Sequence, residues 1–222
     1  MRVITYATHS EGTFENLRGD PRVTVLGWGT KWTGYTDKNR GVLNFLKTQP
    51  DDELVVYIDG FDSRITTKSF DTLEEDFNSF NCEVLFSLDD TSGISNFVPG
   101  FLERYCRRRI FGVCRDGANA NCGLYMGRAR YLHMVLAETM KGGPDDQRNL
   151  NLACDKFPFL KIDVDKRIFE NCSTPECHSN AYFIQVPASI TVKRVLRGIA
   201  DYSLFFIPEF IVVIMIIWWT TR

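Results

Sequence analysis

The sequence predicts an α/β domain: a mixed, mostly parallel sheet flanked by helices. Segments of strand length alternate with segments of helical spacing over the first 90 residues, the order expected of such a sheet. The run Leu54-Val55-Val56 reads as a buried strand that ends in a polar turn. The 222 residues fit one α/β domain, alone or with a small appendage. A composition of 44% hydrophobic and 24% charged residues is enough to bury a core.

Val3 to Thr8 reads as the first strand, and Val23 to Leu26 as the second, closing on Gly27-Trp28-Gly29. Asn39 to Leu46 has helical spacing, with Val42, Leu43, Phe45 and Leu46 apolar. Pro50-Asp51-Asp52 is a turn, and Glu53 to Ile58 is the third strand. Phe70 to Ser79 reads as a helix and Glu83 to Ser87 as the fourth strand. Four arginines between Phe97 and Arg109 suit a solvated face. Asn121 to Gly127 reads as a short strand between glycines. Ala129 to Met140 is an amphipathic helix, stopped by Gly142-Gly143-Pro144, and Asp145-Asp146-Gln147 starts another. Phe159 to Val164 and Ala181 to Val186 are further strands.

A net charge of −2 gives no reason to expect nucleic acid as a partner. No repeat or low-complexity tract is visible. The opening Met1-Arg2-Val3-Ile4-Thr5-Tyr6 carries no apolar signal region, so export is not expected. Seven cysteines are an odd number, and reduced thiols are the expectation. Cys172, Cys177 and His178 offer zinc-type ligands but lack a second ligand cluster, which argues against a zinc site. Asn171-Cys172-Ser173 is a formal glycosylation sequon that means little in a cytosolic chain. From Leu204 to Trp219 nearly every residue is apolar, broken only by Pro208-Glu209. A Trp pair and a terminal Arg resemble an interfacial anchor, so the tail is expected to tether the chain to a membrane. The competing reading packs this segment on the domain.

Asp59 and Asp62 stand three residues apart just beyond the third strand, where open α/β sheets bind ligands. With Gly60 allowing close backbone approach, the pair suits Mn2+ or Mg2+ carrying a diphosphate, since hard ions take oxygen ligands. It also suits a plain polar turn. Asp145 and Asp146 fit the first turn of a helix, where the dipole favours acids. Alternatively, one of them orients an acceptor hydroxyl or takes its proton. No Gly-x-Ser-x-Gly, P-loop or Gly-x-Gly-x-x-Gly is present, and His9, His133 and His178 are scattered.

In order, these pieces resemble the glycosyltransferase domain of the procollagen lysyl hydroxylases and its relatives. Ile4-Thr5-Tyr6-Ala7-Thr8 is similar to the family's first strand, and Leu26-Gly27-Trp28-Gly29-Thr30-Lys31-Trp32 to its Leu-Gly-x-Gly-x-x-Trp. Asp59-Gly60-Phe61-Asp62 resembles its Asp-x-Tyr-Asp, and Phe86-Ser87 the start of its Phe-Ser-Ala-Glu. Asn121-Cys122-Gly123-Leu124-Tyr125-Met126-Gly127 resembles its Asn-Ser-Gly-Gly-Phe-Ile-Gly. Asp145-Asp146-Gln147 matches its Asp-Asp-Gln, and residues 162–171 track its Leu-Asp-x-x-x-x-Ile-Phe-x-Asn region. The likeness spans roughly residues 1 to 202.

The resemblance implies a GT-A type nucleotide-sugar fold, a UDP-sugar donor, Mn2+ or Mg2+, and a glycan or protein acceptor. Asp59 and Asp62 would hold the metal. Phe61 would stack on the uracil, keeping the aromatic face of the family's Tyr without its hydroxyl. Trp32 and Asn121 would line the donor site, Lys38 and Lys193 would meet the diphosphate, and Asp145 and Asp146 would face the sugar or acceptor. One position departs from the pattern: Gln185 stands where the family supplies a His as third metal ligand. An amide oxygen binds Mn2+ more weakly than imidazole does.

The sequence is thus read as a metal-dependent hexosyltransferase, residues 1–202, with a hydrophobic tail, 203–222, on the cytosolic face of a membrane. The rival reading is a membrane-tethered, non-catalytic binding module of the same fold.

Overall fold

A computed structural model describes residues 1–89, 100–172, 177, 179–186 and 203–220. It falls into two compact units, Met1–Ser92 with Phe111–Ala188, and Gly93–Ile110 with Ser189–Arg222. The tail therefore groups with residues 93–110.

The first unit is built on a six-stranded sheet. In chain order its strands are β1 (Arg2–Tyr6), β2 (Val23–Leu26), β3 (Leu54–Ile58), β5 (Val84–Leu88), β6 (Ala120–Arg128) and β7 (Leu160–Asp163). Across the sheet the order is β2-β1-β3-β6-β5-β7. The β1/β2, β1/β3 and β5/β7 pairings are parallel, and only β6 runs against its neighbours. The sheet is mixed and mostly parallel, as expected. A second sheet has three short strands in the order β4-β9-β8: β4 (Ser63–Ile65), β8 (Phe169–Asn171) and β9 (Phe183–Gln185).

Helices cover both faces of the large sheet. They are α1 (Phe14–Arg18), α2 (Tyr35–Leu46), α3 (Leu73–Asn78), α5 (Ala129–Thr139) and α6 (Asp146–Ala153). Successive side chains on a strand point to opposite faces. Val55 and Tyr57 join the core that Val42 of α2 and Leu132 of α5 complete. Leu54, Val56 and Ile58 join the opposite core, with Phe77 of α3 and Phe183 of β9. All five β3 residues are buried, which is why this strand reads as an unbroken apolar run.

The expected strands and helices are present with ends shifted by a few residues. The helix expected at Phe70 to Ser79 begins with a 3-10 turn, Phe70–Thr72. The cysteines differ from the expectation of reduced thiols. Cys114 pairs with Cys154 and Cys172 with Cys177, at Cα separations of 5.3 and 5.8 Å. Both lie within the range a disulfide spans, and such pairing depends on the fold rather than on spacing. Asn171 is buried and donates to the Leu88 carbonyl at 2.5 Å, so its sequon is not displayed.

In the second unit, α4 (Gly100–Phe111) supplies Tyr105 and Arg109, which both engage Glu209 at the start of α7 (Ile207–Thr220). This is the segment expected to tether the chain to a membrane. Among the described residues no helix is long and apolar enough to cross a membrane. Pro208 suits only a first helical turn, so residues 203–206 form a separate 3-10 turn. The fourteen residues of α7 then reach about 21 Å, against roughly 30 Å of bilayer hydrocarbon.

Glu138, near the end of α5, fastens that helix to the turn after α6. Its carboxylate accepts from Lys141 and Lys156, each at 2.5 Å. Those two bonds bring its pKa down from 4.5 to about 2. A depressed folded-state value stabilises the fold above the unfolded value and loses that contribution as pH falls from about 4.5 through about 2. The melting temperature of the wild type should therefore fall more steeply than that of Glu138→Gln across this window. High salt should close the gap, because the group is on the surface. Parallel curves at low salt would show that the two lysines contribute nothing.

Candidate functional site

The site lies beyond the C-terminal end of β3. Asp59 leaves the strand with its amide donating to the Gly123 carbonyl at 2.8 Å. A Cβ on Gly60 would come within 3.1 Å of the Tyr6 carbonyl and 3.2 Å of the Thr5 hydroxyl, so the turn lies against β1. Asp62 closes the turn, and its carbonyl accepts from the Val186 amide at 2.8 Å. β4 begins at the next residue and pairs antiparallel with β9, setting Ser63 opposite Gln185. The small sheet thereby brings Gln185 to the two acids across more than 120 residues of chain. Its Nε2 donates to Asp62 Oδ1 at 3.0 Å and to Asp59 Oδ2 at 3.3 Å.

The Gln185 side chain is buried, and its Oε1 has no hydrogen-bond partner among the described residues. Gly123 makes room for it: a Cβ there would stand 2.3 Å from Oε1 and 2.5 Å from Nε2. Gly123 belongs to a bulge of β6. Tyr125 pairs with Phe86 and Asn121 with Ser87, so residues 122–124 have no partners on β5. The Asn121 side chain staples the bulge by accepting from the Gly123 amide at 2.5 Å. Bulges of this kind re-aim backbone groups beside functional sites. Here Gly123 O is turned toward Asp59 and Cys122 O toward Lys38.

Lys38 projects from α2 into the same place. Its Nζ lies 2.8 Å from Asp146 Oδ2, 3.3 Å from the Cys122 carbonyl and 3.9 Å from Asp59 Oδ1. It also sits 5.6 Å from the centroid of the Tyr57 ring, a cation–π distance. Burial works against its charge, but Asp146 and Asp59 outweigh burial, and its pKa stands well above the ordinary lysine value. For Asp59 burial is the largest influence and raises the pKa; Lys38 and the Tyr57 hydroxyl, donating at 2.8 Å, offset only part of it. The Asp59 side chain is nonetheless 31% exposed, against 7% for Lys38, so the carboxylate forms the open edge of the cluster.

Of the sequence-predicted residues, Asp59, Asp62, Gln185, Lys38 and Asp146 come together. Asp145 is the N-cap of α6, its carboxylate accepting from the Arg148 amide at 2.9 Å, while the next acid carries the contact to Lys38. Trp32 is half exposed, tilted against Tyr6 and edge-on to Tyr35 at ring separations of 6.1 and 5.9 Å. Phe61 lies 5.1 Å from the His9 ring. Lys193 lies outside the described residues. Sequence reasoning missed Tyr57, although it is the one residue of β3 with a polar tip, and also the Cys122 carbonyl, which no side-chain pattern reveals.

Two carboxylates and an amide make a set of oxygen donors suited to a hard divalent ion. As placed, Gln185 turns Nε2 to the acids and leaves the buried Oε1 unpartnered; a half-turn of the amide would give the acids an oxygen donor and suit a cation there.

No protein-family model matches the chain, and no curated protein matches it. Among solved structures, 92% of the chain is similar to 95% of galactosyltransferase LgtC, crystallised with donor and acceptor sugar analogues, at 12% identity and a TM-score of 0.49. It is also similar over 66% of its length to 63% of mouse xyloside xylosyltransferase 1 in its apo form, at 11% identity and a TM-score of 0.41. Likenesses at this level leave the function to be argued from the site.

Gly123→Ala tests the packing of the cluster. The added methyl meets the free end of the Gln185 side chain rather than backbone. The fold should therefore survive, while the amide leaves Asp59 and Asp62. A crystal structure of the variant with both hydrogen bonds intact would mean that the bulge yields instead.

Proposed function

We propose that the chain is a glycosyltransferase that moves a hexose from a UDP-sugar to a hydroxyl acceptor, glycan or protein, with a divalent ion held by Asp59, Asp62 and Gln185. The observation that carries this reading is Lys38. One buried ammonium stands between a carboxylate of the cation cluster and a carboxylate from another segment, Asp146. A binding scaffold would have no need of such a pair, because a buried ion pair is weak evidence for stability and costly when broken. The GT-A resemblance of the ordered motifs supports the same reading.

Transfer breaks the bond between the sugar's C1 and the diphosphate oxygen and joins C1 to the acceptor oxygen. A bound divalent ion supplies charge neutralisation at the departing diphosphate. Asp59 and Asp62 would hold that ion, and Gln185 would offer it Oε1 after a half-turn of its amide. Lys38 would supply a positive charge to the diphosphate. Asp146, held by Lys38, is positioned to orient the acceptor hydroxyl or accept its proton. Asp145 acts through the helix start that it caps. Trp32 and Phe61 offer aromatic faces for the base and sugar.

Calorimetry tests the donor half. Wild-type protein should bind UDP only with Mn2+ present, and Asp59→Ala and Asp62→Ala should each abolish that dependence while still melting cooperatively. Undiminished Mn2+–UDP binding in both variants would remove the cation cluster from the reading. Turnover tests the other half. Asp146→Asn should retain Mn2+–UDP binding yet lose about 10²-fold or more of UDP release from UDP-sugar, the scale for a positioned acid or base. Normal turnover would leave Asp146 as a counter-ion of Lys38 alone.

A further inference from the structure

We propose that Glu170, Cys172 and Cys177 form a second metal site, of thiolate type and suited to Zn2+, which is available when the Cys172–Cys177 disulfide is reduced. The proposal stands apart from the donor site and does not depend on the function given above. Sequence alone argued against zinc here, because Cys172, Cys177 and His178 lacked a second ligand cluster. The fold adds Glu170 to the two cysteines. A Glu170 carboxylate oxygen and the two sulfurs all lie within 4.8 Å of one another. Ligand atoms about 2.0–2.3 Å from one zinc ion lie at most about 4.6 Å apart, so Glu170 already stands close to the distance a shared ion would set. Four residues separate the cysteines, a spacing that zinc-binding pairs use.

The surroundings hold the ligands in place. Glu170 lies on β8, and Cys172 follows that strand directly, its amide donating to the Gln185 carbonyl at 2.8 Å. The Cys177 carbonyl accepts from the Arg64 guanidinium at 2.9 Å. Two thiolates and a carboxylate around a divalent ion leave one net negative charge. Arg64, and Lys166 at 3.7 Å from Glu170, stand ready to offset it. Two of the three free thiols are placed differently. Cys122 is buried in the core, and burial pushes the Cys82 thiol up to about 12, far from the thiolate that metals require. Reduction converts the S–S bond to two thiols at the expense of an added phosphine. On ligation each thiol releases its proton to the buffer.

The full chain, reduced with a phosphine and freed of metal, is titrated with Co2+ as a spectroscopic probe and then with Zn2+. One equivalent of Co2+ should give sulfur-to-cobalt charge-transfer absorption, which Zn2+ then bleaches. The unreduced chain should give none. Cys172→Ser/Cys177→Ser should abolish the absorption. Glu170→Gln, a mild change expected to melt like the wild type, should weaken Zn2+ by at least the roughly 10- to 100-fold that losing even an outer partner costs. The proposal fails if the reduced wild type shows no charge transfer. It fails equally if the absorption persists without Cys172 and Cys177, or if Glu170→Gln binds as tightly as the wild type.

Discussion

The ammonium of Lys38 sits where water scarcely reaches, and a lone charge there would be expelled or lose its proton. Asp146 at 2.8 Å, the Cys122 carbonyl at 3.3 Å and Asp59 at 3.9 Å prevent both. Each comes from a different part of the fold: the start of α6, the bulge of β6 and the end of β3. One charge thus fixes the mutual position of three segments, at the cost of a demanding desolvation. Asp146 lies largely buried with the Lys38 ammonium facing it. The carboxylate that shares Lys38 more distantly, Asp59, keeps an open edge toward solvent.

The second constraint is steric. Gln185 reaches Asp59 and Asp62 only because position 123 has no side chain. Position 123 is turned toward it only because β6 carries three residues that β5 does not match. The small β4-β9-β8 sheet then works as a bracket, with one strand continuing from Asp62 and the next ending on Gln185. The two acids and the amide are therefore set by backbone pairing. Amide nitrogen toward two carboxylates is the arrangement that compensates their charge from within the chain.

Much of the large sheet was legible in the sequence, because β3 and β5 are largely apolar runs covered on both faces. The strands β4 and β8 were not. They are three residues long, carry Ser63, Arg64, Glu170 and Asn171, and are defined by their partner β9 rather than by their own pattern. The acids of the site were found by motif and position, and Lys38 by resemblance. Its actual neighbours could not be read, since the carbonyl of Cys122 leaves no trace in side-chain chemistry. Asp145 and Asp146 looked equivalent as letters; helix geometry separates them, turning one back onto its own amides and the other outward to Lys38. The disulfides depend on distances between segments up to 40 residues apart. In the tail, apolarity counted through Pro208 hides the division between the 3-10 turn and the helix.

The direction of β6 has a consequence for how the chain is made. β3 and β5 do not touch as sheet neighbours; β6 lies between them and hydrogen-bonds to both. A nascent chain emerging from the ribosome therefore has two half-sheets, β2-β1-β3 and β5 alone, with facing edges unfilled until residue 128 is out. Only then does one strand close both edges and deliver Cys122 and Gly123 to the acids at once. One strand thus fills both edges and brings the first part of the site together, with β7, Asp146 and Gln185 still to follow, and pairings this distant in sequence form slowly. Until they form, the unpaired edges of β3 and β5 are the surfaces that a chaperone would have to shield.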